Sequence, residues 1–488
     1  MAALQPNRSR RKFIKKNLLA STLFIVPRHV LGGVGYTAPS DQLNIAGIGV
    51  GGKGSSDILN ASVGGRERVV ALCDIDPRGA HGVLHSRKQF SGARFYTDFR
   101  RLLDQEKDLD AVTISTPDHT HAVIAAKAML RGKHVYVQKP LSHNIREARL
   151  LTEMAREQRV VTQMGNQGAS NPDQQAIADW VEKKIIGKIH KIQVWTNRPV
   201  WPQGIVMPKA QAAKQPDELA WDLWLGPAKK TPYNPALHPF NWRGWWAYGT
   251  GALGDMGCHI IDIPFRALKL GHAKDVECSI GSVFTKMWSP EYIPEGCPPS
   301  SYVSMHFPPS SKNDSPVEMV WTDGGIRPPH PALIPAEEDL TGVGNENGVI
   351  MIGEKGIITA GPYGISPKLH RKGLPPLSHI ADPSRSTTRA PEWGHQQAWI
   401  DACKAGFNSK EHQKLTASFD YAGPLTEAVL MGNIAIRSYL LRRKKSPNGF
   451  DYFGRKKLRW NGKEMRVTNL EQANQFVGRD YRKGWELF

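Results

Sequence analysis

Cysteine is scarce in this chain. There are five in 488 residues (Cys73, Cys258, Cys278, Cys297 and Cys403), far apart and with no Cys-x-x-Cys pair. That excludes a zinc knuckle and a dense disulfide framework; isolated buried thiols fit, with one bridge left open in an oxidising compartment. No His, Asp or Glu cluster has metal-ligand spacing, so no metal is expected. Long apolar runs are also absent. The stretch Leu18–Val26, closed by Pro27, falls well short of the roughly 20 residues a membrane crossing needs, so no stable span is expected. Acids are missing from the first 36 residues, which hold seven Lys and Arg residues of a chain whose formal charge is +19. Further basic runs, Arg442–Lys445 and Arg455–Lys457, lie near the C-terminus. A basic stripe with interleaved aromatics or a nucleic-acid-binding motif is lacking, so the charge reads as solvated surface and no nucleic-acid partner is expected. No internal repeat is present.

What remains is a globular composition, 40% hydrophobic and 22% charged. The length exceeds one comfortable core and implies two domains. Ser9-Arg10-Arg11-Lys12-Phe13-Ile14-Lys15 resembles the twin-arginine export motif, and the short apolar stretch follows it. Residues 1–36 are therefore an expected signal segment, read by the twin-arginine export machinery and excluded from the fold. The expected location is the periplasm, or the cytoplasmic membrane if the signal stays attached; no clean small-x-small site fixes the cut. That route carries folded proteins, which suits an enzyme that takes up a nucleotide before leaving the cytoplasm.

Leu43–Gly49 reads as a buried strand running into Gly47-x-Gly49-x-x-Gly52, with a helix starting near Ser55. In such a turn Gly47 permits the tight bend, Gly49 lets the backbone approach a pyrophosphate and Gly52 allows helix to pack on strand. The helix N-terminus would hold the anion. In a chain with 46 glycines the motif alone is weak, and its context decides. A second strand, Arg68–Cys73, ends in Asp74, at the distance expected of a ribose-binding carboxylate, which favours NAD over NADP. Strands at 110–115 and 132–137 follow, alternating with helices and ending at Thr116-Pro117-Asp118-His119-Thr120-His121 and at Gln138-Lys139-Pro140. This alternation predicts a doubly wound parallel sheet whose ligand lies at the carboxyl ends of the strands.

These motifs, with Gly249–Gly254 leading into Asp255-Met256-Gly257-Cys258-His259, resemble the Gfo/Idh/MocA oxidoreductases, the glucose–fructose oxidoreductase and inositol dehydrogenase superfamily. The leader and Trp221–Pro227 resemble an exported branch of it. The resemblance implies a Rossmann domain followed by an α/β domain with a large, open, mostly antiparallel sheet. It also implies a sugar or polyol substrate, a homodimer or homotetramer, and catalytic roles for Lys139, Asp255 and His259. One departure is Gln138, where the family usually has Glu.

Oxidising a secondary alcohol requires a proton acceptor while hydride leaves carbon. A lysine can take that role if burial and a nearby cation or dipole lower its pKa. Asp255 and His259, spaced i, i+4, would share a helix face and orient the hydroxyl. The expected cofactor contacts are Gly47, Gly49, Gly52, Asp74, Thr116, Pro117, His121, Gln138, Lys139 and Asn166. Those expected for substrate are Trp195, Arg243, Trp245, Asp255 and His259, aromatic and basic groups suited to sugar faces and hydroxyls. Trp201, Trp242, Trp246 and His238 flank the same region, Glu392, His395 and Trp399 could approach it, and Asp262 could support His259. The expected organisation is a signal segment at 1–36, a Rossmann domain at 43–165, a substrate and oligomerisation domain at 166–440 and a basic extension at 441–488. Three functions stay open: a dehydrogenase of sugars, glycosides or polyols with a tightly held NAD, a glycosidase acting by transient oxidation and elimination, and an inactive sugar-binding protein on this fold.

Overall fold

The computed structural model describes residues 38, 41–78, 82–210, 214–341, 346–379, 393–446 and 449–487, and the fold described here is the compact unit Asn44–Phe488. The expected signal segment and Glu392 lie outside the described residues.

Six strands form a parallel sheet: β1 (Asn44–Ile48), β2 (Arg68–Cys73), β3 (Arg94–Tyr96), β4 (Ala111–Ile114), β5 (His134–Gln138) and β6 (Thr162–Gly165), in the order β3-β2-β1-β4-β5-β6. Ile45, Ala46, Val112, Ile114, Val135 and Val137 are almost wholly buried, which is why these strands read as continuous apolar runs. The strand order reverses between β1 and β4, opening the crevice where doubly wound sheets bind ligands. The helix Asp118–Met129 after β4 is buried all round except at Lys127, because it is covered on both sides. β3 was not legible as a strand: it has only three residues, is partly exposed, and pairs solely through Ala71–Cys73 at the sheet edge.

A second sheet of ten strands is mostly antiparallel. Its centre is Ile189–Trp195, Val317–Thr322 and Ser301–Phe307, where the first two pair in parallel. Gly348–Gly353 and Gly356–Ala360 form an antiparallel hairpin. The strand Asp275–Ile280 ends before Phe284–Lys286, which pairs with Ser289–Pro290 in a separate small hairpin. The long helix Phe419–Tyr439 packs on the Ile145–Glu157 helix of the first layer and on the Asp275–Ile280 strand, tying the two sheets into one body.

The segment after residue 440 is structurally integral. Leu458 and Arg459 pair with Val276 and Asp275, extending the large sheet. The chain then returns to the first sheet, where Arg479 and Tyr481 both bond to Oε1 of the buried Glu147 and Arg482 pairs with Asp222.

Candidate functional site: a nucleotide cleft ending in a Lys-Asp-His cluster

One cavity of about 770 Å³ runs along the carboxyl ends of β1, β2, β4 and β5. At one end lie the glycine turn and Asp74. At the other, Lys139 at the end of β5 meets Asp255 and His259 on the helix Gly251–Ile260.

The glycine turn divides its duties differently from expectation. The helix after it starts at Lys53, with Gly52 as N-cap at φ 50°. A Cβ at Gly52 would meet nothing within 4 Å, so this helix N-terminus opens onto the cavity, as a pyrophosphate cradle requires. The close helix–strand approach belongs to Gly54, where a Cβ would lie 1.8 Å from the Gly49 carbonyl oxygen. Gly47 faces away from the cavity toward Val50 and Ile58. Asp74 lines the cavity, and its Oδ2 accepts from the Val50 and Gly51 amides at 2.9 and 3.2 Å. Burial raises this carboxyl to about 6 against the pull of the Asp76, Val50 and Gly51 N–H groups. These residues fit an NAD with free ribose hydroxyls, which Asp74 is placed to accept from.

Thr116 and Pro117 also line the cavity. His121, expected beside them, does not. Its ring nitrogens lie 2.8 Å from the Pro140 carbonyl and 2.7 Å from the Thr116 carbonyl, so it fastens the ends of β4 and β5 together from behind. His119 is likewise structural, held between the Tyr248 and Trp224 carbonyls. Burial, aided by Arg479, lowers its pKa to about 3. Asn166 is buried off the cavity, while its neighbour Gln167 reaches the wall.

At the far end the Lys139 Nζ donates to the Asp255 main-chain oxygen at 2.6 Å and to its Oδ1 at 3.0 Å. Arg243 Nε stands 3.5 Å from Oδ1 and Arg198 Nε 3.7 Å from Oδ2. Burial alone would raise Asp255, but Lys139, Arg243 and Arg198 outweigh it and bring the carboxyl down to about 2. His259, one helical turn on, is 5% exposed, and its ring lies against that of Tyr363 at 4.6 Å between centroids. Burial and the Lys139 charge hold its pKa well below the usual value, so the imidazole is neutral at physiological pH. Asp262 is not its support; it accepts from Arg266 and from the Tyr421 hydroxyl instead.

The glycine run before this helix serves protein packing. A Cβ at Gly249 would sit 2.5 Å from the Arg243 Cα, so the run lets Arg243 approach the start of the helix. Of the expected aromatics, Trp201 and Trp242 line the cavity and Trp246 does not. Trp195 and Trp245 are corrected to core residues, each 1% exposed. Trp195 projects from the opposite face of its strand to Ile192 and Val194 and packs with Leu340 and Ile350. Trp245 is enclosed with Trp221, Trp224 and Trp242. His395 is bound to the Met164 carbonyl and the Ser170 hydroxyl, and Trp399 is fully buried.

Several site residues escaped sequence reading. Arg198 follows the Ile189–Trp195 strand in a loop whose path cannot be read from its Pro-rich composition, although a basic residue beside a strand end and Trp201 was an available signal. Tyr363 enters from a turn between strands at φ 64°. Trp485 comes from the C-terminal segment and lines the wall with Phe99 and Leu223. Asp57 lies buried beneath the glycine turn and accepts from Lys53, Ser115, Gln138 and Gln396.

Residues 43–166 match the NAD-binding Rossmann fold of the GFO_IDH_MocA oxidoreductase family, and residues 175–282 match that family's C-terminal alpha/beta domain. Levoglucosan dehydrogenase of Pseudarthrobacter phenanthrenivorans is 24% identical over 36% of this chain and 37% of its own length. A glycosyl hydrolase family 109 protein of Akkermansia muciniphila is 30% identical over 32% of this chain and 34% of its own. These alignments span little more than a third of either relative. An inositol dehydrogenase homologue from Azotobacter vinelandii, solved with NADH and myo-inositol, superposes with a TM-score of 0.53 at 16% identity, covering 81% of this chain and 95% of that one. The two matched regions thus resemble, in chain order, the two domains of the Gfo/Idh/MocA oxidoreductase family.

Proposed function

We propose that this protein is an NAD-dependent oxidoreductase that moves a hydride between the nicotinamide and a secondary alcohol of a sugar, glycoside or polyol. The observation that carries the reading is the single cavity joining the open helix N-terminus at Gly52 and Asp74 to Lys139, Asp255 and His259. Bound NAD supplies the hydride acceptor. The neutral His259 takes the hydroxyl proton; its Nδ1 is buried without a hydrogen-bond partner, which leaves Nε2 to meet the substrate. Both contacts of the Lys139 Nζ are to acceptors, so this amine acts as a donor that orients the reacting oxygen and stabilises its developing negative charge. Asp255 holds Lys139 in place. This differs from the expectation of Lys139 as the base, and the ion pair with Asp255 is the reason. Similarity to a family 109 glycosyl hydrolase supports a second reading, in which oxidation is transient and the glycosidic bond is lost by elimination.

The twin-arginine-like leader supports export of a folded enzyme already carrying its nucleotide, and a homo-oligomer in the periplasm is the cellular form we propose. Mass spectrometry of products from the purified protein, incubated with NAD and a panel of sugars and glycosides, tests the chemistry. A product lighter by two hydrogens with its glycosidic bond intact supports the dehydrogenase. Free sugar without net NADH supports the elimination pathway. Unchanged substrate across the panel, from protein with bound nucleotide, counts against both.

A further inference from the structure

The charges at the substrate end of the cavity do not balance. Lys139, Arg198 and Arg243 converge on Asp255 at 3.0, 3.7 and 3.5 Å, and all four line the cavity. A second carboxylate, Asp118, is buried at the cavity wall and accepts the Thr250 hydroxyl at 2.6 Å. Three cations thus face two carboxylates, with His259 neutral between them. The cavity's other acids offer no compensation: Asp74 is bound to the glycine turn, Asp76 to Arg78 and His238, and Asp98 to Arg100.

The two arginines are also incompletely used. Arg198 donates one hydrogen bond from Nη1 to Asn197, and Arg243 one from Nη1 to the Phe240 carbonyl. Their separations from Asp255 are ion-pair distances, too long for hydrogen bonds. The Arg243 guanidinium lies 4.3 Å from the ring centroids of both Phe240 and Trp242, which fix its plane. Two guanidinium groups held beside a cavity, with N–H donors to spare, match the geometry of a carboxylate or another compact oxyanion. A neutral sugar would leave the excess positive charge in a partly dehydrated pocket without a counter-charge.

We propose that the substrate is an anionic sugar whose carboxylate, or a phosphate of like geometry, is held between Arg198 and Arg243 while Lys139 and His259 act on a neighbouring hydroxyl. The inference rests on the oxidoreductase reading for the hydroxyl chemistry, but the anion site can be measured by binding alone.

The test titrates the full chain, loaded with NADH, with matched pairs: glucuronate against glucose, galacturonate against galactose, and gluconate and glucose 6-phosphate as further arms. Binding is followed by calorimetry and by nicotinamide fluorescence. At least one acid is expected to bind tenfold or more tighter than its neutral counterpart, and more weakly as salt is raised. A preference confined to the uronates or gluconate identifies a carboxylate as the natural anion, whereas one confined to glucose 6-phosphate identifies a phosphoryl group. Arg198→Gln and Arg243→Gln should collapse the acid-to-neutral ratio, and Arg198→Lys should retain part of it, with melting temperatures showing that each variant is folded. Equal affinity for acid and neutral sugars, no binding by any acid, or an equal loss for both in the Arg→Gln variants would overturn the inference. In a parallel assay of the same sugars with the NAD+-loaded chain, tight acid binding without any hydride transfer to NAD+ would leave the anion site standing and remove the oxidoreductase reading; turnover of neutral sugars with no acid preference would do the reverse.

Discussion

The Nε2 of Gln138 donates to the Oδ2 of Asp57 across 2.8 Å, at a site where both residues are buried. The amide at 138, where relatives of this sequence pattern usually have Glu, is therefore matched to a carboxylate one layer below, under the glycine turn. Gln138→Glu would set a second carboxylate against Asp57 at the cavity wall, where Lys53 is the cation paired to Asp57, and we expect it to cost about 1–3 kcal/mol of stability. Asp57→Asn combined with Gln138→Glu restores one charge and one donor, and should recover most of that loss. Denaturant melts of the two single variants and the double variant check this. Additive losses in the double variant would show that the two residues are not coupled.

Trp485, from the C-terminal segment, packs beside Phe99 at 6.0 Å between ring centroids, tilted by 48°, and lines the cavity. A nucleotide in this cavity would lie against Trp485. Trp485→Ala should speed nucleotide dissociation about tenfold, equivalent to about 1.4 kcal/mol, which is within the range of one aromatic contact. Stopped-flow displacement of bound NADH measures it.

The Asp74 carboxyl is raised to about 6, so it is ionised above that pH and neutral below it. Only the ionised form offers a charged acceptor to the ribose hydroxyls. NAD affinity should hold steady above about pH 6 and fall toward tenfold per pH unit below it. The Asp255 carboxyl at about 2 stays ionised throughout this range, and His259 stays neutral. The acidic limb should therefore appear in NAD binding and be absent from kcat at saturating nucleotide. Binding isotherms and rate profiles over roughly pH 5 to 8 separate the two.

Much of the first sheet was legible because parallel strands buried on both faces announce themselves as apolar runs closed by ligand-binding loops. Lys139, Asp74, Asp255 and His259 were found that way, each at a strand end or on one helix face. The misassigned residues fail for local reasons. His121 sits among site residues in sequence, yet its ring turns inward to two carbonyls; Trp195 obeys the strand's two-residue alternation, which sequence position alone cannot orient. Tyr363 and Trp485 arrive from a turn and a tail whose paths depend on long-range packing, so no local pattern marks them; Arg198 carried one local signal, its place just after a strand end beside Trp201.

The central claim is that Lys139 and His259 act on an alcohol next to a bound nicotinamide. Its most direct test is single-turnover reduction of the bound nucleotide, followed by the absorbance of reduced nicotinamide, in the wild type, Lys139→Ala and His259→Ala, with the nucleotide content of each protein measured in parallel. The account predicts reduction by a sugar substrate in the wild type, and rates lower by about a hundredfold or more in both variants with NAD still bound. Reduction at the wild-type rate in either variant would contradict it.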